Sequence, residues 1–245
     1  MSKLWFVSDG TPYHGEDPNY YNPGEYTWAV DIESHWSEIK GEVKKFIDAK
    51  EKAFTSNAKN YGKLADTAWT SLTFSFWGVK VSGSLEKDCP TLTTYLAKIP
   101  GLVSVSFSQL ATNAVIDEHR GNTNAIFRCH LGIEVPESLP NCGFRVNGEE
   151  RDWQEGKWLF FNDAQKHSAW NKTGKRRILL IIDVVRPEFL PKQKVICAQQ
   201  IATRFFYKRP YLKNLPSPIR NLAFSLVTML MRLYIPMFNL SKKQE

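Results

Sequence analysis

The segment from Val103 to Val185 consists of short runs of Val, Ile, Phe and Trp that are separated by turn residues. The turn residues are Asn122, Pro136, Pro140-Asn141, Asn147-Gly148 and Gly174. An Asn-Gly pair between two apolar runs is a strong signal for a two-residue β-hairpin. Several strands at this spacing favour a closed double sheet over alternating strands and helices, and the jelly roll is one such fold. We therefore predict a mainly β domain of the sandwich or barrel type.

Helical patterns precede and follow this β segment. The elements predicted outside it are a helix from Ile32 to about Ala53, a strand from Leu72 to Val81, a short helix between Cys89-Pro90 and Pro100-Gly101, and helices from Cys197 to Tyr207 and from Ser217 to Tyr234. We divide the chain into an irregular lead-in over residues 1–30, a β domain with flanking helices over residues 31–190, and a basic, helical extension over residues 191–245.

The composition is that of a globular protein with an anionic partner. A hydrophobic content of 42% and a charged content of 23% argue against wholesale disorder. The net charge of +7 indicates a membrane surface, an acidic polymer or an acidic substrate as the partner. Much of this excess lies between Arg186 and Lys243. No nucleic-acid recognition motif accompanies the charge, so we expect no nucleic-acid partner.

The sequence favours a reducing compartment. The four cysteines, Cys89, Cys129, Cys142 and Cys197, form no CxxC pair and no regular framework, which argues against zinc clusters and disulfides. The N-terminal apolar stretch is too short for a signal peptide, and the longest apolar run, Leu222 to Met231, is shorter than the ~20 residues of a membrane span. We expect a cytoplasmic protein, which leaves room for peripheral membrane association.

The C-terminal helix has two interpretations. Its apolar residues cover much of its circumference, so it either packs on the sheet or a dimer partner, or lies in the plane of an anionic membrane. Lysines and arginines flank the helix on both sides, which is typical of the second arrangement.

Two of the five histidines lie in local sequences that suit a metal site. His119 lies between Glu118 and Arg120, and His167 precedes Arg177 by ten positions at the start of a predicted strand. Imidazole suits Fe(II), and the planar guanidinium of arginine binds a carboxylate through two hydrogen bonds. This pairing indicates a non-haem iron site beside a carboxylate-binding site.

The residue two positions after His119 departs from the commonest pattern of iron oxygenases. Most of them hold iron by two histidines and one carboxylate. Here Gly121 occupies the position where that carboxylate normally lies. Asp117 and Glu118 are close in sequence, but Glu118 on a strand points away from the face of His119. We assign neither as a ligand.

Further motifs surround these histidines in a defined order. They are Phe107-Ser108-Gln109-Leu110, His119-Arg120-Gly121 with Asn124, Arg128-Cys129-His130-Leu131-Gly132, Trp153-Gln154-Glu155-Gly156-Lys157, Asn162-Asp163, Trp170-Asn171, and Arg177 followed by Asp183 and Arg186-Pro187-Glu188. In order and spacing, this set resembles the aspartyl/asparaginyl beta-hydroxylase family of Fe(II)- and 2-oxoglutarate-dependent dioxygenases. The resemblance extends from about Cys89 to Leu190, and a weaker similarity extends to about Tyr21.

The resemblance implies a fold and a metal site. The fold is a double-stranded β-helix, a cupin-like jelly roll, with helices before it and a helical extension after it. His119 and His167 would bind Fe(II) as neutral imidazoles at its mouth. The family also has glycine at the position of Gly121, with water in place of the missing ligand. The implied co-substrates are 2-oxoglutarate and O2.

The resemblance also assigns residues that bind carboxylates. Arg177 matches the position that binds the far carboxylate of 2-oxoglutarate, and Ser108 matches the hydroxyl that assists it. Arg128 and His130 alternate on one strand and therefore face the same side. The matching pair in the family lines the pocket and holds a carboxylate of the co-substrate or the substrate.

Other residues near these motifs are expected to support the site or the core. We expect Asn162 and Asp163 to orient the loop that presents His167. Trp153, Trp158 and Trp170 are expected to belong to the core, as large aromatic residues usually do.

Three functions fit these observations. The first, which we favour because of the family resemblance, is hydroxylation of an unactivated carbon, at the beta-carbon of an aspartyl or asparaginyl residue, free or in a peptide. The second keeps the chemistry but acts on an acyl chain of lipid A at the membrane surface, and the basic, apolar extension favours it. The third is a non-catalytic cupin-like binding protein. Retention of the full set of expected site residues argues against the third.

Overall fold

Two antiparallel β-sheets form the centre of this computed structural model, which describes residues 2–15, 17–57, 68–81 and 85–234. The strands within these ranges are β1 (Tyr20–Tyr21), β2 (Thr55–Ser56), β3 (Trp69–Phe76), β4 (Val79–Lys80), β5 (Leu102–Leu110), β6 (Ala114–His119), β7 (Ile126–Glu134), β8 (Cys142–Val146), β9 (Glu149–Arg151), β10 (Trp158–Asn162), β11 (His167–Asn171) and β12 (Arg177–Val185). The large sheet has the order β1-β10-β7-β12-β5-β3-β2, with β4 paired to β3. The small sheet has the order β6-β11-β8-β9.

Helices flank the sheets at both ends of the chain. They are α1 (Thr27–Ser34), α2 (Trp36–Ala49), α3 (Leu85–Asp88), α4 (Pro90–Leu96), α5 (Gln193–Tyr207), α6 (Pro210–Lys213) and α7 (Ser217–Tyr234), with 3-10 turns at Val7–Asp9, Pro23–Glu25, Glu51–Ala53 and Pro187–Lys192. The described residues contain no helix of the length and apolarity that crossing a membrane requires. The predicted mainly β fold with flanking helices, a double-stranded β-helix, is confirmed.

Both faces of the large sheet are buried, each against a different partner. Successive side chains along each strand point to opposite faces. Leu180 and Ile182 of β12 join a core cluster with Ile39 and Val43 of α2, so this face packs on the N-terminal helices. Leu179 joins a second cluster that lies between the two sheets. Ser108, Arg128, His130 and Arg177 share the face of Leu179, so these residues lie on the inner face of the large sheet, opposite the small one.

The predicted hairpin at Asn147-Gly148 is confirmed. Both residues have positive φ, +46° and +87°, and they connect β8 to β9. A two-residue turn with two positive φ angles matches the right-handed twist of the flanking strands, and glycine adopts it without a steric cost.

Three element boundaries differ from the prediction. The strand predicted from Leu72 to Val81 is instead the hairpin of β3 and β4, which turns at Trp77 and Gly78. The helix predicted from Ile32 is two helices, because His35 leaves the helical conformation between α1 and α2. The helix predicted to begin at Cys197 begins at Gln193.

The first C-terminal helix packs against one end of the β structure. Ile196 and Cys197 of α5 lie in a buried cluster with Ile126 at the start of β7 and Val185 at the end of β12. Helix α7 then packs on α5, with the rings of Phe206 and Phe224 5.3 Å apart.

Candidate active site

His119 and His167 lie opposite each other on neighbouring strands of the small sheet. His119 ends β6, His167 begins β11, and the two are directly paired in the antiparallel register. Side chains of such a pair extend to the same face, and the two imidazole centroids are 4.2 Å apart. The structure therefore brings together the two histidines that the sequence singled out.

Each of the two histidines contacts a backbone carbonyl oxygen two residues before it. Nδ1 of His119 lies 2.8 Å from the carbonyl oxygen of Asp117, and Nδ1 of His167 lies 2.8 Å from that of Gln165. A carbonyl oxygen only accepts hydrogen bonds, so each Nδ1 carries the proton. Each Nε2 therefore carries a lone pair, which is the arrangement of a metal-binding imidazole.

The surroundings of the two histidines favour their neutral forms. Burial lowers the pKa of His119. Burial, followed by the nearby charge of His119, places the pKa of His167 well below its usual range. A metal ion binds the neutral imidazole, so at neutral pH neither ring must lose a proton first.

The space beside Gly121 is filled by the carboxylate of Asp163. A Cβ atom built on Gly121 would overlap the Asp163 carboxylate, and the backbone N–H of Gly121 donates to the carbonyl oxygen of Asp163 at 2.6 Å. Asp163 Oδ1 lies 3.8 Å from Nε2 of His167. Within the described residues no group of three or more His, Cys, Asp or Glu side chains could hold a metal ion.

Arg177 is a buried cation without a carboxylate partner in the described part of the chain. Its side chain is 2% exposed, its Nε has no hydrogen-bond partner, and its guanidinium lies 4.6 Å from the ring of Trp153. Burial lowers its pKa to about 10, which still leaves it charged at neutral pH. An uncompensated buried charge costs several kcal/mol. This arrangement fits a binding site for an anionic group.

His130 has the opposite proton placement to the two paired histidines. Its Nδ1 accepts a hydrogen bond from the indole N–H of Trp153 at 3.2 Å. Burial and the nearby charge of Arg177 place its pKa well below the usual range, so the ring is neutral. A neutral ring that accepts at Nδ1 carries its proton at Nε2, and this N–H is available to donate to a carboxylate. Trp153 thus contacts both His130 and Arg177, in addition to its predicted place in the core.

Ser108 is positioned by an aromatic residue that the sequence analysis did not single out. The indole N–H of Trp69 donates to Ser108 Oγ at 3.0 Å, and the Trp69 ring lies 6.3 Å from that of His119. Ser108 pairs with Leu179, which lies two residues from Arg177 along β12. The Ser108 hydroxyl and the Arg177 guanidinium therefore belong to the same face of the large sheet.

Arg128 is bound by two acidic side chains of the protein. Its Nη1 donates to Asp163 Oδ1 at 2.6 Å, and its Nε and Nη2 donate to the two oxygens of Asp183 at 2.8 and 3.1 Å. Arg128, a residue of β7, thereby links Asp163 to the large sheet. The two carboxylates compensate its charge, in contrast to the charge of Arg177.

Tyr13 and Asp17 of the N-terminal segment form hydrogen bonds with the loops next to both histidines. The Tyr13 hydroxyl accepts from Nδ2 of Asn162 at 2.8 Å, and the Tyr13 carbonyl accepts from Arg120 at 3.2 Å. The carbonyl of Asp17 accepts from Nε2 of Gln165 at 2.8 Å. Asn162 also accepts from the backbone N–H of Ala164, so it shapes the loop before His167. The Pro- and Gly-rich composition of the lead-in gave no signal for these long-range contacts.

A family model for the aspartyl/asparaginyl beta-hydroxylases matches residues 33–187 of the chain. The chain belongs to the aspartyl/asparaginyl beta-hydroxylase family. The match includes every residue of the site described above except Tyr13 and Asp17.

Curated proteins that are similar to this chain have different substrates in their names. An ornithine lipid ester-linked acyl 2-hydroxylase of Rhizobium tropici is 34% identical over 174 residues, which cover 70% of this chain and 62% of that protein. The human aspartyl/asparaginyl beta-hydroxylase is 28% identical over 183 residues, which cover 71% of this chain and 24% of that protein. The chain therefore spans less than two thirds of either relative. Among solved structures, a prolyl-4-hydroxylase of Pseudomonas putida aligns with 64% of this chain and 99% of its own, with a TM-score of 0.45 and 10% identity.

Proposed function

We propose that this hydroxylase-family chain is an Fe(II)- and 2-oxoglutarate-dependent dioxygenase. The observation that carries the proposal is Arg177, a fully buried guanidinium with an unpartnered Nε at the inner face of the large sheet. The co-substrate 2-oxoglutarate has a carboxylate at the end remote from its keto acid, and this group would supply the missing counter-charge.

The described residues fit both the metal and the co-substrate. His119 and His167 would hold Fe(II) through their Nε2 lone pairs, while their Nδ1 protons stay on the backbone carbonyls. Arg177, the Ser108 hydroxyl and the Nε2–H of His130 would hold carboxylate oxygens of 2-oxoglutarate. When bound, these groups supply O2-dependent hydroxylation of a C–H bond, coupled to conversion of 2-oxoglutarate to succinate and CO2.

The chain itself contributes orientation and charge balance. The backbone contacts of the two histidines fix their ring planes, and moving the proton from Nδ1 to Nε2 would break these hydrogen bonds. The Asp163 carboxylate is held by Arg128, with its Oδ1 3.8 Å from Nε2 of His167, and would place negative charge beside a metal held by the two histidines. The aromatic residues Trp153 and Phe144 line the inner side of the site and restrict water there.

Two substrate classes fit this chemistry. The beta-carbon of an aspartyl or asparaginyl residue is the substrate that the sequence analysis favours, and it stays a prediction. A lipid acyl chain is favoured by one observation at the site. The charge of Arg128, which was predicted to bind a carboxylate of substrate or co-substrate, is compensated by Asp163 and Asp183. An uncharged acyl ester needs no additional cation, and the name of the Rhizobium tropici relative supports an ester-linked acyl substrate.

Succinate formation tests the proposed chemistry. Purified wild-type chain with Fe(II), ascorbate and 2-oxoglutarate under air should form succinate, and the His119→Ala and His167→Ala variants should not. If the wild type forms no succinate, binding of 2-oxoglutarate to the metal-loaded protein is measured by titration. Binding that depends on Arg177 would keep the assignment of the site and indicate strict dependence on substrate. Absence of both turnover and binding would refute the dioxygenase and leave the cupin-like binding protein as the alternative.

A further inference from the structure

Helix α7 has two apolar faces, of which only one is packed. The packed face contains the partly buried residues Ala223, Phe224, Val227 and Met231 at helical spacing, and the ring of Phe224 contacts that of Phe206 in α5. The second face consists of large apolar residues, each between 47% and 68% exposed: Ile219, Leu222, Leu226, Met229, Leu230 and Leu233. Their spacing of three and four residues aligns them in a single stripe along the helix. Ser217, Asn221, Ser225 and Arg232 form the remaining, polar face.

This exposed stripe is unusual for a soluble monomer. Single exposed apolar residues are common, but a continuous row of six long side chains marks a surface that binds something. The stripe lies on the side of α7 away from α5, so nothing in the described part of the chain covers it.

The charge of the extension identifies the occupant. Residues 191–245 contain ten Lys and Arg residues and one acidic residue, Glu245, for a formal charge of +9. Residues 1–190 contain 22 Lys and Arg residues and 24 Asp and Glu residues, for a formal charge of −2. The whole positive surplus of the protein therefore belongs to the segment that carries the apolar stripe. Apolar residues combined with dense positive charge match the boundary between the acyl chains and the headgroups of an anionic bilayer.

The same charge argues against a second copy of this chain on the stripe. Two extensions that met through α7 would bring two formal charges of +9 together without acidic residues to pair them. Isologous dimer interfaces juxtapose identical surfaces, so this repulsion would not be relieved by a different orientation of the partner.

The position of the extension relative to the site suits a membrane-bound orientation. Helix α5 packs on Ile126 and Val185, and these residues lie two positions from Arg128 and Asp183 along β7 and β12. Arg128 in turn contacts Asp163 beside the paired histidines. The extension therefore adjoins the end of the β structure that carries the metal site.

We infer that α7 docks in the plane of an anionic phospholipid bilayer, with its exposed apolar stripe among the acyl chains and the basic residues between Lys192 and Arg232 at the headgroups. This inference goes beyond the proposed chemistry and does not depend on it, because docking requires only the folded chain. If the substrate is a lipid acyl ester, docking would also bring the site to its substrate.

Vesicle flotation of the full chain tests the inference. The wild type should float with phosphatidylcholine vesicles that contain phosphatidylglycerol. With vesicles of phosphatidylcholine alone, it should remain unbound in the bottom fraction. The double variant Leu222→Ser, Leu226→Ser should bind the anionic vesicles about 100-fold more weakly, from roughly tenfold per leucine. The matched control is Val30→Ser with Val81→Ser, which removes two equally exposed apolar side chains elsewhere and should float like the wild type.

A second pair of variants separates charge from apolar insertion. Arg220→Gln with Arg232→Gln should weaken binding about 25-fold at low salt, from roughly fivefold per basic side chain. High salt should reduce this difference, because it screens the headgroup attraction. Lys52→Gln with Lys87→Gln changes the net charge equally and should have no comparable effect, since both residues lie outside the extension.

Two results would overturn the inference. One is a wild type that does not float with anionic vesicles. The other is a leucine variant that floats as well as the wild type. A dimer in light scattering that the leucine variant converts to a monomer, without flotation of either protein, would assign the stripe to a second copy. All these variants should form succinate at the wild-type rate from soluble 2-oxoglutarate, so failure of the chemistry and failure of docking give separate readouts.

Discussion

The carboxylate of Asp163 occupies the volume that a side chain at Gly121 would need. In the commonest iron-oxygenase pattern, that side chain is the third metal ligand. Here a carboxylate still lies at this point, but it comes from the loop before His167 and is held by Arg128. The glycine and the aspartate are thus two parts of one arrangement, in which the acidic group lies beside the histidines.

Replacing Gly121 tests this relationship. We expect Gly121→Ala to displace Asp163 and weaken metal binding about 10- to 100-fold, the usual effect of disturbing residues that surround metal ligands. Titration of Co(II) or Fe(II), followed by absorbance or calorimetry, measures the change. Gly174→Ala is the control, because its Cβ would meet open space. Adding Asp163→Ala should partly rescue Gly121→Ala, and purely additive effects would contradict the steric coupling.

Arg177 leads to a prediction about stability as well as binding. Arg177→Met keeps an unbranched side chain about as long as the arginine stem up to Nε, and it removes an uncompensated buried charge. We expect the ligand-free variant to be at least as stable as the wild type, and to bind 2-oxoglutarate more weakly by about 2–5 kcal/mol. Thermal unfolding with and without 2-oxoglutarate measures both effects.

The neighbouring Arg176 supplies the control for this experiment. Its guanidinium binds Glu134, Asp48 and Glu51 on the other side of β12. Arg176→Met should retain the thermal shift caused by 2-oxoglutarate. A normal shift in Arg177→Met would refute the assignment of Arg177 to the co-substrate.

The residues with local signals were the ones that the sequence could predict. The hairpin at Asn147-Gly148 is specified by the residues of the turn itself, and the strands are specified by alternation over a few positions. His119 and His167 lie in recognisable motifs, but their direct pairing depends on the register of β6 and β11, which shifts between His167 and Ala169.

The contacts that complete the site had no such signal. Trp69 and Ser108 are 39 positions apart, and Tyr13 and Asn162 are 149 positions apart. Nothing in either local sequence specifies the partner, because these contacts form only when the sheets close. The same is true of Asp163, whose proximity to Gly121 depends on the absence of a side chain 42 positions earlier.

The nature of the substrate can be read from the product. Because Arg128 is already paired with two carboxylates, we expect an ester-linked acyl chain to be hydroxylated in preference to an acidic peptide. Mass spectrometry of reactions with an acyl ester lipid and with an aspartyl peptide would detect the gain of one oxygen atom. Greater hydroxylation of the aspartyl peptide would return the assignment to the beta-carbon of aspartyl or asparaginyl residues.

The contacts of the Asp17 carboxylate should make the free energy of unfolding depend on pH in the acid range. Burial alone would raise the pKa of Asp17, but hydrogen bonds from Arg186, Tyr13 and Asn124 outweigh it and lower this pKa to about 2, from an ordinary value of 3.8. A carboxyl with a lowered pKa stabilises the fold fully above its unfolded-state value, and this contribution is lost as pH falls toward the folded-state value. We expect Asp17→Asn to cost about 1–2 kcal/mol at neutral pH, with allowance for solvent screening. In denaturant unfolding curves, the difference in unfolding free energy between wild type and variant should be constant above pH ~5 and shrink between pH ~4 and ~2.

A difference in unfolding free energy that did not change over this range would mean that the Asp17 carboxylate does not hold the segment through its charge. Tyr13→Phe removes the neighbouring hydroxyl and leaves the charge of Asp17 and its pairing with Arg186, so most of the acid-dependent difference should survive in that variant.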